Sequence, residues 1–178
     1  MSDPQAEDTA APLPTERLLL RPLDPPLARR IAAGTAGPGD RWGPGYPGPA
    51  DRSGAARFLE VLAGHGNPWP YGAYEIERRA DGLAIGGAGF HGPADAHGRV
   101  SIGYGLIPAV RGLGFAAEAL RALLEHARSH GAAGADGDTD LANVASQRVM
   151  AAAGMTLVRE DDRLRYYAAT WARAAESS

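Results

Sequence analysis

A glycine-containing segment, residues 107–120, holds the residues whose types and spacing most clearly suggest chemistry. Apolar residues precede Gly112 and Gly114, and a run with helical spacing follows, which predicts a strand, a turn and a helix. Glycines let the backbone approach a ligand closely because they carry no Cβ atom. A helix that begins directly after them points its free N–H groups and the positive end of its dipole at that ligand. The segment is therefore interpreted as an anion site, with a phosphorylated molecule as the expected ligand.

Two common phosphate loops fit this segment poorly. A Walker loop, Gly-x-x-x-x-Gly-Lys-Ser/Thr, requires a lysine, and the chain contains none. A dinucleotide fingerprint would put Ala117 at its third glycine. Its acidic residue would be Asp136 or Asp138, after a strand that is poor in apolar residues, so this interpretation is disfavoured.

The remaining pattern, Arg111-x-x-Gly114-x-Ala116, resembles the acetyl-CoA loop of the GNAT N-acetyltransferase superfamily. Three further segments are similar to the branch that contains ribosomal-protein alanine acetyltransferases. They are TERLLLRP at residues 15–22, SIGYGL at residues 101–106 and NVASQRVMAAAGM at residues 143–155. The four segments occur in the family's order, so the resemblance covers residues 15 to 170.

The resemblance implies an α/β (α+β) fold, in which helices cover both faces of a mixed, mostly antiparallel central sheet. The hydrophobic pattern along the chain gives the order β-α-α-β-β-β-α-β-α-β-β. Predicted helices cover residues 24–33 and 55–63, follow the glycine loop as far as Gly131, and run from Asn143 to Gly154. A strand is predicted at Leu18 and Leu20. The other predicted strands cover residues 71–78, 83–91, 99–107, 135–139, 156–160 and 164–171. Residues 1–13 are predicted to be a disordered tail and residues 14–174 a single domain.

The resemblance also implies where acetyl-CoA binds. Its diphosphate would lie on the backbone amides of the glycine loop, next to Arg111. The pantetheine arm would pair with the end of the preceding strand at Leu106 and Ile107, where a free N–H group would polarise the thioester carbonyl. The expected diphosphate donors are Gly112, Leu113, Gly114, Phe115 and Ala116.

Asn143 and Ser146 lie three residues apart on one helix face and would contact the sulfur end of the cofactor. Many relatives place a tyrosine one turn further on, where this chain has Met150. Ser146 is therefore the predicted acid that protonates the leaving thiolate, directly or through water. The alternative is that Asn143 only caps the helix and that Ser146 is only a small residue.

The catalytic base is less clear, because relatives often use a glutamate at the position of Ser101. Acetyl transfer requires a neutral amine, so a side chain must accept the amine's proton. A hairpin that pairs His91 with Arg99 would place His91 and Ser101 diagonally on one sheet face, about 7 Å apart at Cβ. His91, directly or through a water held by Ser101, is the hypothesised base. The alternative is an exposed hairpin histidine.

Four aromatic residues lie in or beside loops rich in glycine and proline, and they are predicted to line the acceptor pocket. Their polar edges and π faces suit a ligand that carries an amine. Local anchoring of the loops is the alternative. The four are Trp42, Tyr46, Trp69 and Tyr71.

Composition narrows the function classes. The 178 residues carry a net charge of −3, which indicates no nucleic-acid partner, and contain no cysteine, which excludes disulfides and thiolate nucleophiles. No histidine pair has metal-site spacing. No apolar run approaches the roughly 20 residues of a membrane span, and no signal peptide is recognised, so a soluble cytoplasmic protein is expected. A homodimer surface formed by Tyr166, Tyr167 and Trp171 is a further expectation, with core packing of these residues as the alternative.

The expected function is acetyl-CoA-dependent N-acetylation of a primary amine, by direct transfer in a ternary complex. The acceptor is a protein N-terminus or a small-molecule amine. Ser101 and Met150 also motivate a second function class, a non-catalytic acyl-CoA-binding sensor or scaffold module. A third class is an unrelated ferredoxin-like interaction domain with a structural glycine loop.

Overall fold

The computed structural model describes residues 10–171, which form eight strands and four helices. The helices are α1 (Pro25–Ala33), α2 (Pro49–His65), α3 (Phe115–Ser129) and α4 (Val144–Ala152). The strands are β1 (Leu13–Pro14), β2 (Leu18–Pro22), β3 (Ala73–Arg78), β4 (Leu83–Phe90), β5 (Arg99–Leu106), β6 (Gly134–Asp140), β7 (Thr156–Glu160) and β8 (Leu164–Thr170). One 3₁₀ turn, Pro108–Val110, follows β5.

All eight strands form one sheet in the order β1-β2-β3-β4-β5-β6-β8-β7. Every pair of neighbours is antiparallel except β5 and β6, which are parallel. The predicted fold class is thereby confirmed, with one added strand at the start. This strand, β1, pairs Leu13 with Leu20, so the predicted tail is wrong at Leu13. Residues 1–9 of that tail and residues 172–174 of the predicted domain lie outside the described residues.

The helices cover both faces of the sheet. On one face, Tyr74 of β3 and Phe90 of β4 meet His126 of α3. On the other face, glycines of β4 and β5 lie under Asp51 and Ala50 of α2. The core is built from apolar side chains of the strands and helices, and its largest fully buried members are Leu18, Leu20, Ile31, Ile76, Ile85, Val100, Leu120 and Leu123.

Helix α2 is much longer than predicted. The sequence prediction began at Ala55 because Gly54 and the preceding prolines resemble a loop, and it ended at Gly64. The structure instead begins the helix at Pro49, with Asp51 in its first turn, and ends it at the Gly66 cap. A Cβ atom at Gly54 or Gly64 would meet no heavy atom within 4 Å, so these glycines lie on the open side of the helix. Packing of Ala55 and Phe58 against the core outweighs the low helix propensity of the two glycines.

Two other helices begin and end where the sequence signals place them. Asp24 caps α1 by accepting a hydrogen bond from the Leu27 N–H group, and Gly34 ends the helix in the left-handed conformation. Gly114 immediately precedes α3 with a φ of +83°. Within residues 10–171, no helix combines the length and the apolar character that a membrane span requires.

Candidate active site

The parallel strands β5 and β6 pair over only three positions, from Arg99 with Gly134 to Ser101 with Asp136. Beyond these positions the strands separate and leave an opening beside the second half of β5. The Arg99 guanidinium closes the paired end through two hydrogen bonds to Asp136, of 2.7 and 2.8 Å. An extended chain can therefore add to the free edge of β5 only past Ser101, in the direction of the glycine loop.

Leu106 and Ile107, both predicted to face the pantetheine arm, have different roles in the structure. The Ile107 N–H group donates to the Ile85 carbonyl at 2.9 Å, so it is engaged in the sheet, and the side chain is buried in the core. In an antiparallel pair, alternate residues bond the neighbouring strand and the others face away from it. Because Ile107 bonds β4, the N–H group of Leu106 faces the opening. Of the two predicted positions, Leu106 is therefore the one whose N–H group can serve as the donor.

The glycine loop presents an unbroken series of backbone donors. Gly112 and Gly114 have φ values of +80° and +83°, which turn the chain into α3. In the described part of the chain, none of the six N–H groups from Gly112 to Ala117 has a protein acceptor. Together with the dipole of α3, these groups form a site suited to a diphosphate. The Nε atom of Arg111 donates to the Leu106 carbonyl at 3.1 Å, which places this exposed arginine beside the loop.

A side-chain brace that the sequence analysis missed holds this loop against the first strands. Glu118, in the first turn of α3, accepts hydrogen bonds from the Thr15 hydroxyl at 2.6 Å and from the Arg17 N–H group and Nε atom at 2.7 Å each. The Arg17 guanidinium also donates to the Leu113 carbonyl at 2.9 Å and lies 4.3 Å from the centre of the Phe115 ring. Thr15 and Arg17 belong to the opening motif on which the resemblance was based, so their packing explains why this motif accompanies the loop.

Replacing Glu118 by alanine is expected to destabilise the protein by about 2 kcal/mol, because three hydrogen bonds to a carboxylate are lost. Burial raises the pKa of Glu118, but the hydrogen bonds from Thr15 and Arg17 outweigh it and lower the pKa below its ordinary value. The stabilisation is therefore complete above the unfolded-state pKa and is lost as the pH falls through the folded-state pKa. Urea unfolding of both proteins between neutral and acidic pH measures this difference.

The matched control for that experiment is Glu125→Ala on the same helix, because Glu125 is 72% exposed and only approaches Arg128 at 4.0 Å. This substitution should change the stability very little. A loss of stability in Glu118→Ala that is equal at neutral and acidic pH would contradict the charge-based explanation.

Ser146 lies at the opening and contacts a tyrosine that the sequence analysis did not consider. The hydroxyl groups of Tyr104 and Ser146 are 2.7 Å apart, and the Tyr104 hydroxyl also donates to the Ser146 carbonyl at 3.1 Å. Asn143 caps α4 by accepting a hydrogen bond from the Ser146 N–H group at 3.1 Å. Met150 is buried and packs beside Gly137. A tyrosine hydroxyl is therefore present at this site, but it comes from β5 rather than from α4.

His91 lies directly opposite Ser101 in the hairpin of β4 and β5. The prediction placed it opposite Arg99, so the observed register is shifted by two residues. The His91 N–H group donates to the Ser101 carbonyl at 2.8 Å, and Gly89 pairs with Gly103 instead of with Ser101. The predicted pairing of His91 with Arg99 is thus wrong, but a shift of two residues keeps both side chains on one face. The Ser101 Oγ atom is 3.5 Å from His91 Nδ1.

Under α2 the sheet has a cavity of about 300 Å³ whose floor is made of glycine. Two cross-strand pairs, Gly87 with Gly105 and Gly89 with Gly103, carry no side chains on this face. The His91 ring occupies the space above Gly103, since a Cβ atom there would lie 2.5 Å from His91 Nε2. The glycines therefore create the cavity and leave room for the imidazole beside it.

Burial, followed by the positive charge of Arg57, lowers the pKa of His91 from its ordinary value, although the charge of Asp138 opposes this change. The residue as a whole is exposed at the mouth of the cavity, while its ring is partly covered by the strand below it. Neutral imidazole is therefore the main form at neutral pH, which is the form that accepts a proton.

The cavity also contains a carboxylate that the sequence analysis missed. Asp51 accepts a hydrogen bond from the Gly48 N–H group at 2.8 Å through Oδ2, while its Oδ1 atom lies over Gly87. Burial raises the pKa of Asp51. A sequence signal was available, since Pro49 and Asp51 after Gly48 are typical of the first turn of a helix.

The four predicted acceptor aromatics do not form one pocket. Tyr46 lines the cavity and donates to the buried Glu75 at 3.1 Å. Trp42 packs edge-on against Tyr46, at 5.5 Å between ring centres. Trp69 lines a second, neighbouring cavity of about 510 Å³, and Tyr71 packs on Phe90. Of the four, only Tyr46 lines the cavity that Asp51 and His91 also line.

Of the residues expected at a dimer surface, Tyr167 is buried in the core, as the alternative predicts, whereas Tyr166 is partly buried and donates to Asp161 at 2.8 Å. His126 is buried against Trp69, and its Nε2 atom is 2.7 Å from the Pro70 carbonyl. Among the described residues, no group of three or more histidine, aspartate or glutamate side chains is arranged to hold a metal ion.

Comparison with known proteins gives one family and a consistent set of structural neighbours. The acetyltransferase (GNAT) domain family matches residues 17–156. RimL, a ribosomal L7/L12 α-N-protein acetyltransferase solved in complex with coenzyme A, is 16% identical, with a TM-score of 0.65 over 90% of this chain and 98% of that one. The ribosomal-protein-S5-alanine acetyltransferase from Vibrio fischeri is 14% identical, with a TM-score of 0.65 over 90% of this chain and 96% of that one.

An acetyltransferase from Agrobacterium tumefaciens str. C58 is 24% identical, with a TM-score of 0.64 over 96% of this chain and 100% of that one. At these identities the structural likeness shows the fold alone. A search of curated protein sequences gives no match.

Proposed function

This chain belongs to the GNAT acetyltransferase family, and we propose on that premise that it transfers the acetyl group of acetyl-CoA to a primary amine held in the glycine-floored cavity. One observation carries this proposal. The opening beside β5 and the cavity under α2 meet at the same stretch of strand, since Tyr104 and Gly105 line the cavity while Leu106 faces the opening. A donor bound in the opening and an acceptor bound in the cavity would therefore meet across one strand.

The residues of the opening fit acetyl-CoA. The free N–H groups of the glycine loop suit its diphosphate, and the free edge of β5 suits the amide groups of the pantetheine arm. When bound, acetyl-CoA supplies the thioester whose acetyl group is transferred. The N–H group of Leu106 then donates to the thioester carbonyl and stabilises the negative charge that develops on its oxygen.

His91 and Tyr104–Ser146 handle the protons in this proposal. His91 Nε2 accepts a proton from the ammonium group of the acceptor, which leaves a neutral amine. The amine nitrogen forms a bond to the acetyl carbon as the carbon–sulfur bond breaks. Ser146, hydrogen-bonded to the Tyr104 hydroxyl, gives a proton to the leaving sulfur and receives in its place the proton that the nitrogen loses as the amide forms, so that coenzyme A leaves as the thiol and both hydroxyl groups stay neutral. Burial raises the pKa of Tyr104, although its bond to Ser146 opposes this, so the phenol is protonated at neutral pH.

The test is a transfer assay with purified protein, acetyl-CoA and a panel of primary amines that includes a peptide with an N-terminal alanine. We expect saturable binding of acetyl-CoA, and release of free coenzyme A together with an acetylated amine of the mass expected for one acetyl group. Binding of acetyl-CoA without transfer to any amine would favour a non-catalytic acyl-CoA-binding module. The absence of binding would overturn both functions.

A further inference from the structure

We propose that the acceptor is a primary amine on a small apolar group, and that it enters as an ammonium ion bound by Asp51. This inference rests on the proposed function and specifies its acceptor. It assigns Asp51 as the residue that selects the amine, and the apolar wall of the cavity as the surface that selects the group attached to it.

One carboxylate oxygen of Asp51 accepts a backbone hydrogen bond, and the other faces the cavity. Oδ2 accepts the Gly48 N–H group at 2.8 Å, and Oδ1 lies 3.0 Å from the place that a Cβ atom on Gly87 would occupy. In the described part of the chain, Asp51 forms no ion pair, and Arg57 is the only arginine that lines the same cavity. Arg57 is exposed and acts on His91. A half-buried carboxylate without a cation is costly, and an ammonium ion would relieve that cost.

Much of the rest of the wall is apolar or lacks side chains. Leu23, Ile31 and Ala55 supply apolar surface and the glycine floor supplies none, while Tyr46, Ser53, Arg57 and Tyr104 are among the polar residues that line the cavity beside Asp51 and His91. A volume of about 300 Å³ is at the lower end of the range for ligand cavities, so the group that carries the amine must be small. An apolar group gains from burial here, whereas a polar peptide backbone would lose its hydrogen bonds to water.

The position of Asp51 places the nitrogen close to the reacting bond. Gly87, under Asp51, pairs directly with Gly105, the residue before Leu106. His91 lies above Gly103, which is the diagonal neighbour of Gly87, about 7–8 Å away. An ammonium group held by Asp51 is therefore close to His91, the proposed base. It is also close to the part of β5 whose Leu106 N–H group is proposed to polarise the thioester.

The experiment uses phenethylamine as the acceptor probe and phenethyl alcohol as its neutral analogue, with the wild-type protein and Asp51→Asn. Asparagine retains the oxygen that caps α2 but loses the charge. We expect acetylation of phenethylamine by the wild type and a KM for this amine about 10- to 100-fold higher in Asp51→Asn. The KM for acetyl-CoA should not change. Asp161→Asn is the matched control, because Asp161 also accepts backbone N–H groups, from Arg163 and Leu164, in a turn away from the cavity.

Dissociation constants of the two probes from the coenzyme A complex, measured by ligand-observed NMR, separate a binding role from a structural one. The wild type should bind the amine more tightly than the alcohol, and Asp51→Asn should lose this preference. A preference that persists in Asp51→Asn would overturn the role of Asp51. Acetylation of the alanine peptide but not of phenethylamine would overturn the small apolar acceptor while leaving the proposed function intact. If the wild type does not bind acetyl-CoA, the proposed function itself fails.

Discussion

Gly114→Glu is expected to abolish acetyl-CoA binding while leaving the protein folded. The residue precedes α3 with a φ of +83°, a conformation that favours glycine, and a Cβ atom there would lie 3.3 Å from Arg17 Nη2. A glutamate at this place would bring its own carboxylate to the N–H groups that we assign to the diphosphate, next to the Arg17 guanidinium. The substituted side chain would therefore occupy the anion site and repel the phosphates.

Thermal unfolding with and without acetyl-CoA measures this effect. At a hundredfold excess over Kd, a ligand should stabilise the wild type by about 2.7 kcal/mol. For a domain of this size, this corresponds to a rise in Tm of roughly 5–11 °C. Gly114→Glu should show no rise at the same concentration of acetyl-CoA.

The matched control is Gly131→Glu, at the opposite end of α3. Gly131 also has a positive φ, of +88°, and a Cβ atom there would meet nothing within 4 Å. This variant has the same backbone strain and the same added charge, but it leaves the loop intact, so the rise in Tm should persist. An equal loss of the rise in both variants would show that general destabilisation, rather than the anion site, explains the result.

His91→Ala is expected to lower kcat by about 10²- to 10⁴-fold, the usual contribution of a positioned base. The imidazole lies over Gly103 at the edge of the cavity, and Ser101 Oγ is 3.5 Å from its other nitrogen. Binding of acetyl-CoA should be unchanged, because the glycine loop and the free edge of β5 do not involve His91. Steady-state kinetics with phenethylamine or another accepted amine would measure the change.

The pH dependence identifies the role more specifically. Because the pKa of His91 lies below its ordinary value, kcat/KM of the wild type should rise with pH through that lowered pKa and become constant near neutrality. This rising limb should be missing in His91→Ala. His97→Ala, in the exposed loop of the same hairpin, is the control and should behave like the wild type. A rising limb that is retained in His91→Ala would assign the titration to another group.

The turn and helix of the glycine loop could be predicted from the sequence because their signals are local. Gly112, Gly114 and the helix that follows them lie within a few residues of one another, and the donors are backbone groups that need no particular side chain. The fold class could be predicted for a related reason. Alternating apolar and polar residues in the strands and the helical spacing of apolar residues in α3 are signals that recur along the chain. Even so, the two residues of β1 carry too short a pattern to be recognised.

The acceptor side was harder to predict because it is assembled from distant segments. Asp51 and Gly87 approach each other only because α2 crosses β4. The glycines and prolines before Ala55 resemble a loop, so the sequence does not show that Asp51 belongs to α2. The pairing of His91 depends on the geometry of the loop at residues 92–98, which the sequence does not specify. The two hydroxyls of Tyr104 and Ser146 are 42 residues apart, and neither segment alone indicates that they meet.

The cavity has a strand wall, made of the glycine floor, and a helix wall, made of α2, and the two walls differ in how readily they accept substitutions. A side chain added at Gly103 or Gly89 must displace a neighbour, because a Cβ atom at Gly103 would lie 2.5 Å from His91 Nε2 and one at Gly89 would lie 2.7 Å from the Ala73 Cα atom. On α2, by contrast, Ala50, Ser53 and Arg57 are exposed and line the same cavity. If the proposed donor and acceptor sites are correct, substitutions on the exposed helix can alter the choice of acceptor while the backbone of β5 stays unchanged. Selectivity and transfer chemistry would then depend on two different elements of the same fold.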